Sequence, residues 1–151
     1  MNIIICDTCS LIKLQKGNVA HCLGGFYDKV FIPEAVKKEC CNGYARRAIQ
    51  YDFIEVVSVK NILALGMGAG EREAISLAVE LGITKIITDD KKAFNNAVRQ
   101  KLKPIRIFNF LVIAKYAGLI PLVKPILDQM IDKGEGISED VYFQTLQDAG
   151  E

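Results

Sequence analysis

Short apolar runs and longer amphipathic stretches alternate along this chain, and that alternation admits few folds. A strand must bury its faces and a helix its stripe, so such a pattern predicts βα units around a mostly parallel sheet. Asn2 to Cys6 opens it as an unbroken apolar run rich in β-branched Ile, as a strand buried on both faces requires. Lys29 to Ile32, Ile54 to Val59, Thr84 to Thr88 and Pro104 to Ile107 read as further strands. Helical periodicity covers Thr8 to about Gln15, Pro33 to the Asn42-Gly43 breaker, Tyr44 to Tyr51, Glu71 to Leu81 and Asp90 to about Leu102. Pro33 suits the first turn of its helix, and Gly82 closes another. Phe108 to Tyr116, Pro121 to Asp132 and Ser138 to Gln147 continue as helices, punctuated by Gly118 and Gly134. The expected product is an α/β, three-layer αβα domain with a helical carboxy-terminal extension. Its α/β core would span about residues 1–107 and the extension about 108–151. A chain of 151 residues has room for one such domain, and 50% hydrophobic residues supply its core without disulfides.

Several functional classes fall away on composition. The opening apolar run is too short for a signal peptide or a membrane span, and no other run reaches spanning length, so a soluble cytoplasmic protein with no membrane contact is expected. Five cysteines without a secretory signal predict reduced thiols. Cys6-x-x-Cys9 has no second pair at ligand spacing and reads as structural thiols. His21 and Cys22 are adjacent and converge poorly on one ion, and His21, the only histidine, reads as a loop or surface residue. The formal net charge of +1 conceals an asymmetry. Lys91, Lys92, Arg99, Lys101, Lys103, Arg106, Lys115 and Lys124 lie in a stretch without acids, followed by a tail with seven acids and only Lys133. Such a segment can form a phosphate-attracting face, although on charge alone a pair of ordinary solvated faces is the better reading.

Acidic residues carry the stronger signal. In an open α/β sheet, ligands gather at the carboxyl ends of the strands. Asp7 directly follows the first strand, and Asp89 and Asp90 follow Thr84 to Thr88. Each taken singly reads as a helix N-cap. Helix phase adds two more acids. Glu39 lies beside Val36 and Cys40 in an apparently apolar stripe, where an unpaired carboxylate is costly. Glu71 precedes Ala74, Ile75 and Ala78 at spacings that place it on the inward face, whereas Glu73 aligns with Leu77 and Glu80 nearer the edge. Two carboxylates ~4 Å apart repel by about 4 kcal/mol at an effective dielectric of ~20. Four converging acids therefore need protons or a cation, and hard oxygen ligands without His or Cys select Mg²⁺ or Mn²⁺. A cation so held lowers the pKa of water and neutralises charge on a scissile phosphate.

The same residues compose a recognisable set of motifs. Asp7-Thr8-Cys9-Ser10-Leu11-Ile12 resembles the opening motif of PIN domains, and Ile32-Pro33-Glu34-Ala35-Val36-Lys37-Lys38-Glu39 resembles their second element. Gly70-Glu71-Arg72-Glu73-Ala74-Ile75, Ile87-Thr88-Asp89-Asp90-Lys91-Lys92-Ala93 and Gly118-Leu119-Ile120-Pro121 resemble a prokaryotic branch of that family, DUF3368. The likeness spans nearly the whole chain and implies a PIN-like, Rossmann-like fold and an endoribonuclease. It makes Asp7, Glu39, Glu71 and Asp90 the catalytic, metal-binding acids, with Asp89 as a helper and Mg²⁺ or Mn²⁺ as cofactor. Thr8, Ser10 and Thr88 become hydrogen-bond donors or phosphate contacts. Cys9 stands where Ser or Asn is common, and Glu71 where many PIN toxins carry Asp. The resemblance further implies the toxin of a toxin–antitoxin pair, a homodimer silenced by a small antitoxin protein. Lys91, Lys92 and Arg99, at or on the helix that starts at the site, are the expected RNA contacts. Two other functions compete. One is a non-catalytic PIN-like module that binds RNA or protein. The other is a phosphohydrolase with Asp7 as covalent nucleophile, which usually carries a second Asp where this chain has Cys9.

Overall fold

Five short strands, β1 (Ile3–Cys6), β2 (Lys29–Ile32), β3 (Ile54–Val56), β4 (Lys85–Ile87) and β5 (Lys103–Ile105), form one sheet in the computed structural model, which describes residues 1–151. Every pairing is parallel, and the order is β3-β2-β1-β4-β5. Nine helices surround the sheet: α1 (Thr8–Lys16), α2 (Leu23–Phe26), α3 (Glu34–Glu39), α4 (Gly43–Ala48), α5 (Ala69–Leu81), α6 (Lys91–Arg99), α7 (Ile107–Tyr116), α8 (Lys124–Asp132) and α9 (Glu139–Asp148). The predicted α/β class and three-layer architecture are both present.

The strand alternation divides the core in two. Ile4, Cys6, Val30, Ile32 and Ile87 face one way and join Leu11 and Leu14 of α1, Phe110 and Leu111 of α7, and Leu127 and Met130 of α8. Ile5 and Ile86 face the other way, onto Ala74, Ile75 and Ala78 of α5 and Ala97 of α6. Each fully buried Ile contributes about 1.5–3 kcal/mol by leaving water. The small alanines of α5 and α6 let those helices sit close on the sheet. The carboxy-terminal helices close over the first face, and α8 approaches so tightly that a Cβ on Gly17 would meet Met130 at 2.7 Å. No helix is long and apolar enough to cross a membrane.

The bounds depart from the sequence pattern in physically informative places. The helix after Pro33 stops at Glu39, short of Asn42-Gly43, because Cys40 leaves helical geometry at φ −90° and ψ 49°. Pro33 stands just outside it as the N-cap. The strand from Ile54 is paired only as far as Val56, since its partner β2 ends at Ile32. A 3₁₀ turn (Ala20–Cys22) and α2 have no counterpart in the expected elements, being too short to show a helical period.

One consequence of the strand order positions everything that follows. From β1 the chain builds outward through β2 and β3, then returns to place β4 and β5 on the opposite side. The direction reverses between β1 and β4, and a crevice opens there at the carboxyl ends of the strands. Leu11, fully buried in α1 beneath that crevice, is the first core side chain after Asp7. Leu11→Ala is expected to lower stability by about 3 kcal/mol, read as a reduced urea midpoint at unchanged slope.

Candidate functional site

Asp7 is the innermost polar group of the crevice. It leaves β1 and becomes the N-cap of α1, its Oδ1 accepting the Ser10 backbone N–H at 3.0 Å. Its Oδ2 accepts the Thr88 hydroxyl at 2.6 Å, across the boundary between β1 and β4. The expected capping role is therefore real, yet a cap needs no burial, and Asp7 is 1% exposed. Burial pushes its carboxyl above the ordinary range, against the Thr88 and Ser10 hydrogen bonds, and Asp89 adds repulsion. Beside it the Ser10 hydroxyl is buried with no hydrogen-bond partner.

Glu39 arrives from the other side. It is exposed as a residue, so its expected place in a buried stripe is wrong: Val36 and Cys40 turn inward and Glu39 does not. Two specific bonds hold it to the crevice instead. The Thr8 hydroxyl donates to Oε2 at 2.6 Å, and the Gly70 backbone N–H donates to Oε1 at 3.0 Å. A Cβ on Gly70 would lie 2.7 Å from Oε2, so only glycine admits the carboxylate at this distance. A carboxylate on the last residue of α3 also opposes the negative end of the helix.

Glu71, in the first turn of α5, is half-buried and lines a small cavity of about 70 Å³ with Thr8, Cys9, Glu39, Gly68 and Gly70. Burial raises its pKa, and the carboxylates of Asp90, Asp7 and Glu39 raise it further, against Lys92. The preference for Glu71 over Glu73 has a structural counterpart, because Glu73 Oε1 accepts the Ala35 N–H of α3 at 3.4 Å. Asp90 is exposed and caps α6 by accepting the Ala93 N–H at 2.9 Å. It opens on a cleft of about 600 Å³ lined by Leu65, Gly66, Lys91, Lys92, Asn95, Asn96 and Arg99. Lys91 and Arg99 are exposed there, whereas Lys92 Nζ donates to the Gly66 carbonyl at 2.6 Å and ties the glycine-rich loop to α6.

Asp89 departs from its expected role as a helper to the other acids. It is 8% exposed, and both its oxygens are taken, one by Lys13 and the other by Arg106 Nε at 3.2 Å. Sequence reasoning missed Lys13, Arg106 and Gly70. A lysine at the polar edge of α1 and a glycine directly before Glu71 were the available signals, and neither is specific without the fold.

The charges of Asp90, Asp7 and Glu39 thus all act on Glu71, while Thr8 bonds to Glu39 and Thr88 to Asp7. Their donor chemistry fits a hard divalent cation: all oxygen, mutually repelling, with an unpartnered hydroxyl at the buried end. As arranged, no three His, Cys, Asp or Glu side chains stand close enough to share one ion. Other nucleophiles are poorly placed. Cys9 borders the cavity, but burial and then Asp7 and Glu71 push its thiol up to about 11, which leaves it protonated at neutral pH. His21 sits in the 3₁₀ turn with its Nε2 3.6 Å from Cys22 Sγ. All five cysteines are free.

Asp7 generates a sign-specific expectation. Its carboxyl titrates higher in the fold than its ordinary value of 3.8. Between the two values the fold keeps a proton that the unfolded chain has released, so stability falls as pH rises through that window and stays lowered above it. Asp7→Asn is expected to raise the thermal midpoint above the parent's at neutral pH, with the gain shrinking as pH falls towards 3.8. Scanning calorimetry across pH reads this directly.

Comparison with known families places these residues in context. Residues 3–151 match the model of a family described as a PIN domain, DUF3368. The search of curated proteins gave no match. PIN domains are generally nucleases, typically use divalent metals, and engage RNA. With a match over nearly its whole length and a five-stranded parallel sheet of the corresponding kind, the chain belongs to the DUF3368 family of PIN domains.

Proposed function

We propose that this chain is a Mg²⁺- or Mn²⁺-dependent endoribonuclease, with Asp7, Glu39, Glu71 and Asp90 as its catalytic and metal-binding acids. The observation that carries this reading is the small cavity that Glu39 and Glu71 share, beside which burial and the Asp90, Asp7 and Glu39 carboxylates raise the carboxyl of Glu71. A fold gains nothing in stability from bringing four carboxylates together, so the arrangement points to a cation as their missing partner. When bound, the divalent ion activates water and neutralises charge on the scissile phosphate. The chain's own residues do the rest. Thr88 and Ser10 fix Asp7, Thr8 and Gly70 fix Glu39, and the Lys13–Asp89–Arg106 pairing anchors the backbone from which Asp90 projects. Lys91 and Arg99 hold RNA phosphates beside Asp90, and Lys92 holds the loop that forms the opposite wall.

Residues 1–151 act as a single unit in this reading, because the helices from Ile107 onward share the core of α1. The motif resemblance extends the proposal to the toxin of a toxin–antitoxin pair, a cytoplasmic homodimer silenced by a small antitoxin over the acidic pocket. One observation favours a second reading, a non-catalytic PIN-like module that binds RNA or a protein. The acids do not close into a three-ligand set.

Cleavage of a broad RNA pool separates the two readings. The nuclease cuts with Mg²⁺ or Mn²⁺, stops in EDTA and restarts when the ion is restored; the module binds without turnover under every condition. Asp7→Asn and Asp90→Asn are each expected to abolish cleavage with an unchanged circular dichroism spectrum, and parental rates in both would overturn the assignment. Lys91→Ala and Arg99→Ala are expected to weaken RNA binding across sequences and to reduce the slope of log affinity against log salt by about 1 each.

A further inference from the structure

The amino-terminal end of α6 divides two clefts, and the reading above uses only one. On the far side from Arg99 lies a second, of about 380 Å³, lined by Asp89, Lys91, Phe94 and Arg106. Lys91 borders both, so the two clefts adjoin at that side chain. Its chemistry differs. The first is walled by lysines, arginine and asparagines, as a phosphate track would be. The second presents an aromatic ring and a guanidinium.

Arg106 is held rather than free. Its Nε donates to Asp89, and its guanidinium carbon sits 4.9 Å over the centre of the Phe108 ring. No hydrogen bond to protein engages its two terminal nitrogens, and the side chain borders both this cleft and a neighbouring one lined by Asp140 and Asp148. A guanidinium fixed at one edge and backed on one face is preorganised for a planar ligand. Phe94 is half-buried in α6, so its ring lines the cleft without rotating freely in solvent. Asp89 adds little net charge there, since Lys13 and Arg106 already neutralise it.

We propose that this cleft takes one unpaired nucleobase of the RNA, stacked on Phe94 and met by the terminal nitrogens of Arg106, while Lys91 contacts the adjoining phosphate. The proposal rests on the nuclease reading and adds to it a base-stacking subsite at Phe94 beside the phosphate track. A phosphate alone has no use for the Phe94 ring, whereas unstacked bases bind through aromatic and arginine planes. In a duplex the bases stay paired and stacked, and none reaches the cleft.

The test uses the full chain with Ca²⁺ in place of Mg²⁺ and a short, fluorescein-labelled single-stranded oligoribonucleotide of mixed sequence. Phe94→Leu keeps apolar volume but removes the stacking face, and is expected to weaken binding about tenfold. Phe94→Tyr should restore it. Oligonucleotides with one abasic position, moved along the strand, should include one that binds the parent about tenfold more weakly and is insensitive to Phe94→Leu. Equal binding of every strand by parent and Phe94→Leu overturns the base subsite, as does uniform binding across the abasic series. If the parent still cleaves RNA in Mg²⁺, the nuclease reading survives that failure. A parent that neither binds nor cuts RNA overturns both.

Discussion

A hydrogen bond from Thr88 to Asp7 extends the β1–β4 pairing through side chains, at the point where the sheet changes direction. The backbone reinforces it, since the Asp7 N–H donates to the Ile87 carbonyl at 3.4 Å, one residue before Thr88. Asp7 is consequently fixed at both oxygens and in its main chain before any ligand arrives. Every other acid of the crevice is disposed around that point. Glu71 and Glu39 approach from α5 and α3, and Asp90 from the start of α6. A carboxylate so deeply buried is a standing electrostatic cost, and proteins tend to keep such costs where function requires them.

Asp89 and Asp90 show how two identical neighbours acquire opposite tasks. The first turns inward and is neutralised by Lys13 and Arg106, which makes it a structural anchor between α1 and the segment after β5. The second turns outward at the cap of α6, with one oxygen on Ala93 and the other free towards solvent. A buried ion pair of this kind adds little net stability, but removing one member strands the other without a partner. Its value lies in fixing the direction in which Asp90 points. Lys13 also reaches Glu135 at 4.0 Å, and Lys16 binds the same carboxylate at 2.8 Å, so the pairing connects to the segment between α8 and α9.

Glycine serves the site at one position in a way that no propensity argument captures. Gly70 has ordinary helical backbone, so its requirement is not conformational. What it supplies is the missing Cβ, whose place is taken by the Glu39 carboxylate. The Gly70 N–H, which has no partner within the first turn of α5, then binds that carboxylate directly, as the first N–H groups of a helix are free to do. This contact keeps Glu39 in place despite its unfavourable position at the end of α3.

The layered α/β architecture is legible in the order of residues alone, because apolar alternation and helical period reflect local geometry that every strand and helix must obey. That order also singled out Asp7 and Asp90, whose places directly after strands are readable along the chain, and it preferred Glu71 to Glu73 from helical phase. Glu39 came forward for a reason that failed, since a helix only six residues long ends before its phase can specify a buried face. Which carboxylate oxygens stay free depends instead on long-range contacts. The Thr8–Glu39 contact, the Thr88–Asp7 bond and the pairing of Asp89 with Lys13 and Arg106 join residues separated by 31, 81, 76 and 17 positions. Contacts at such separations depend on strand order and helix placement, and those are set by the burial of the whole core rather than by any local pattern of residues.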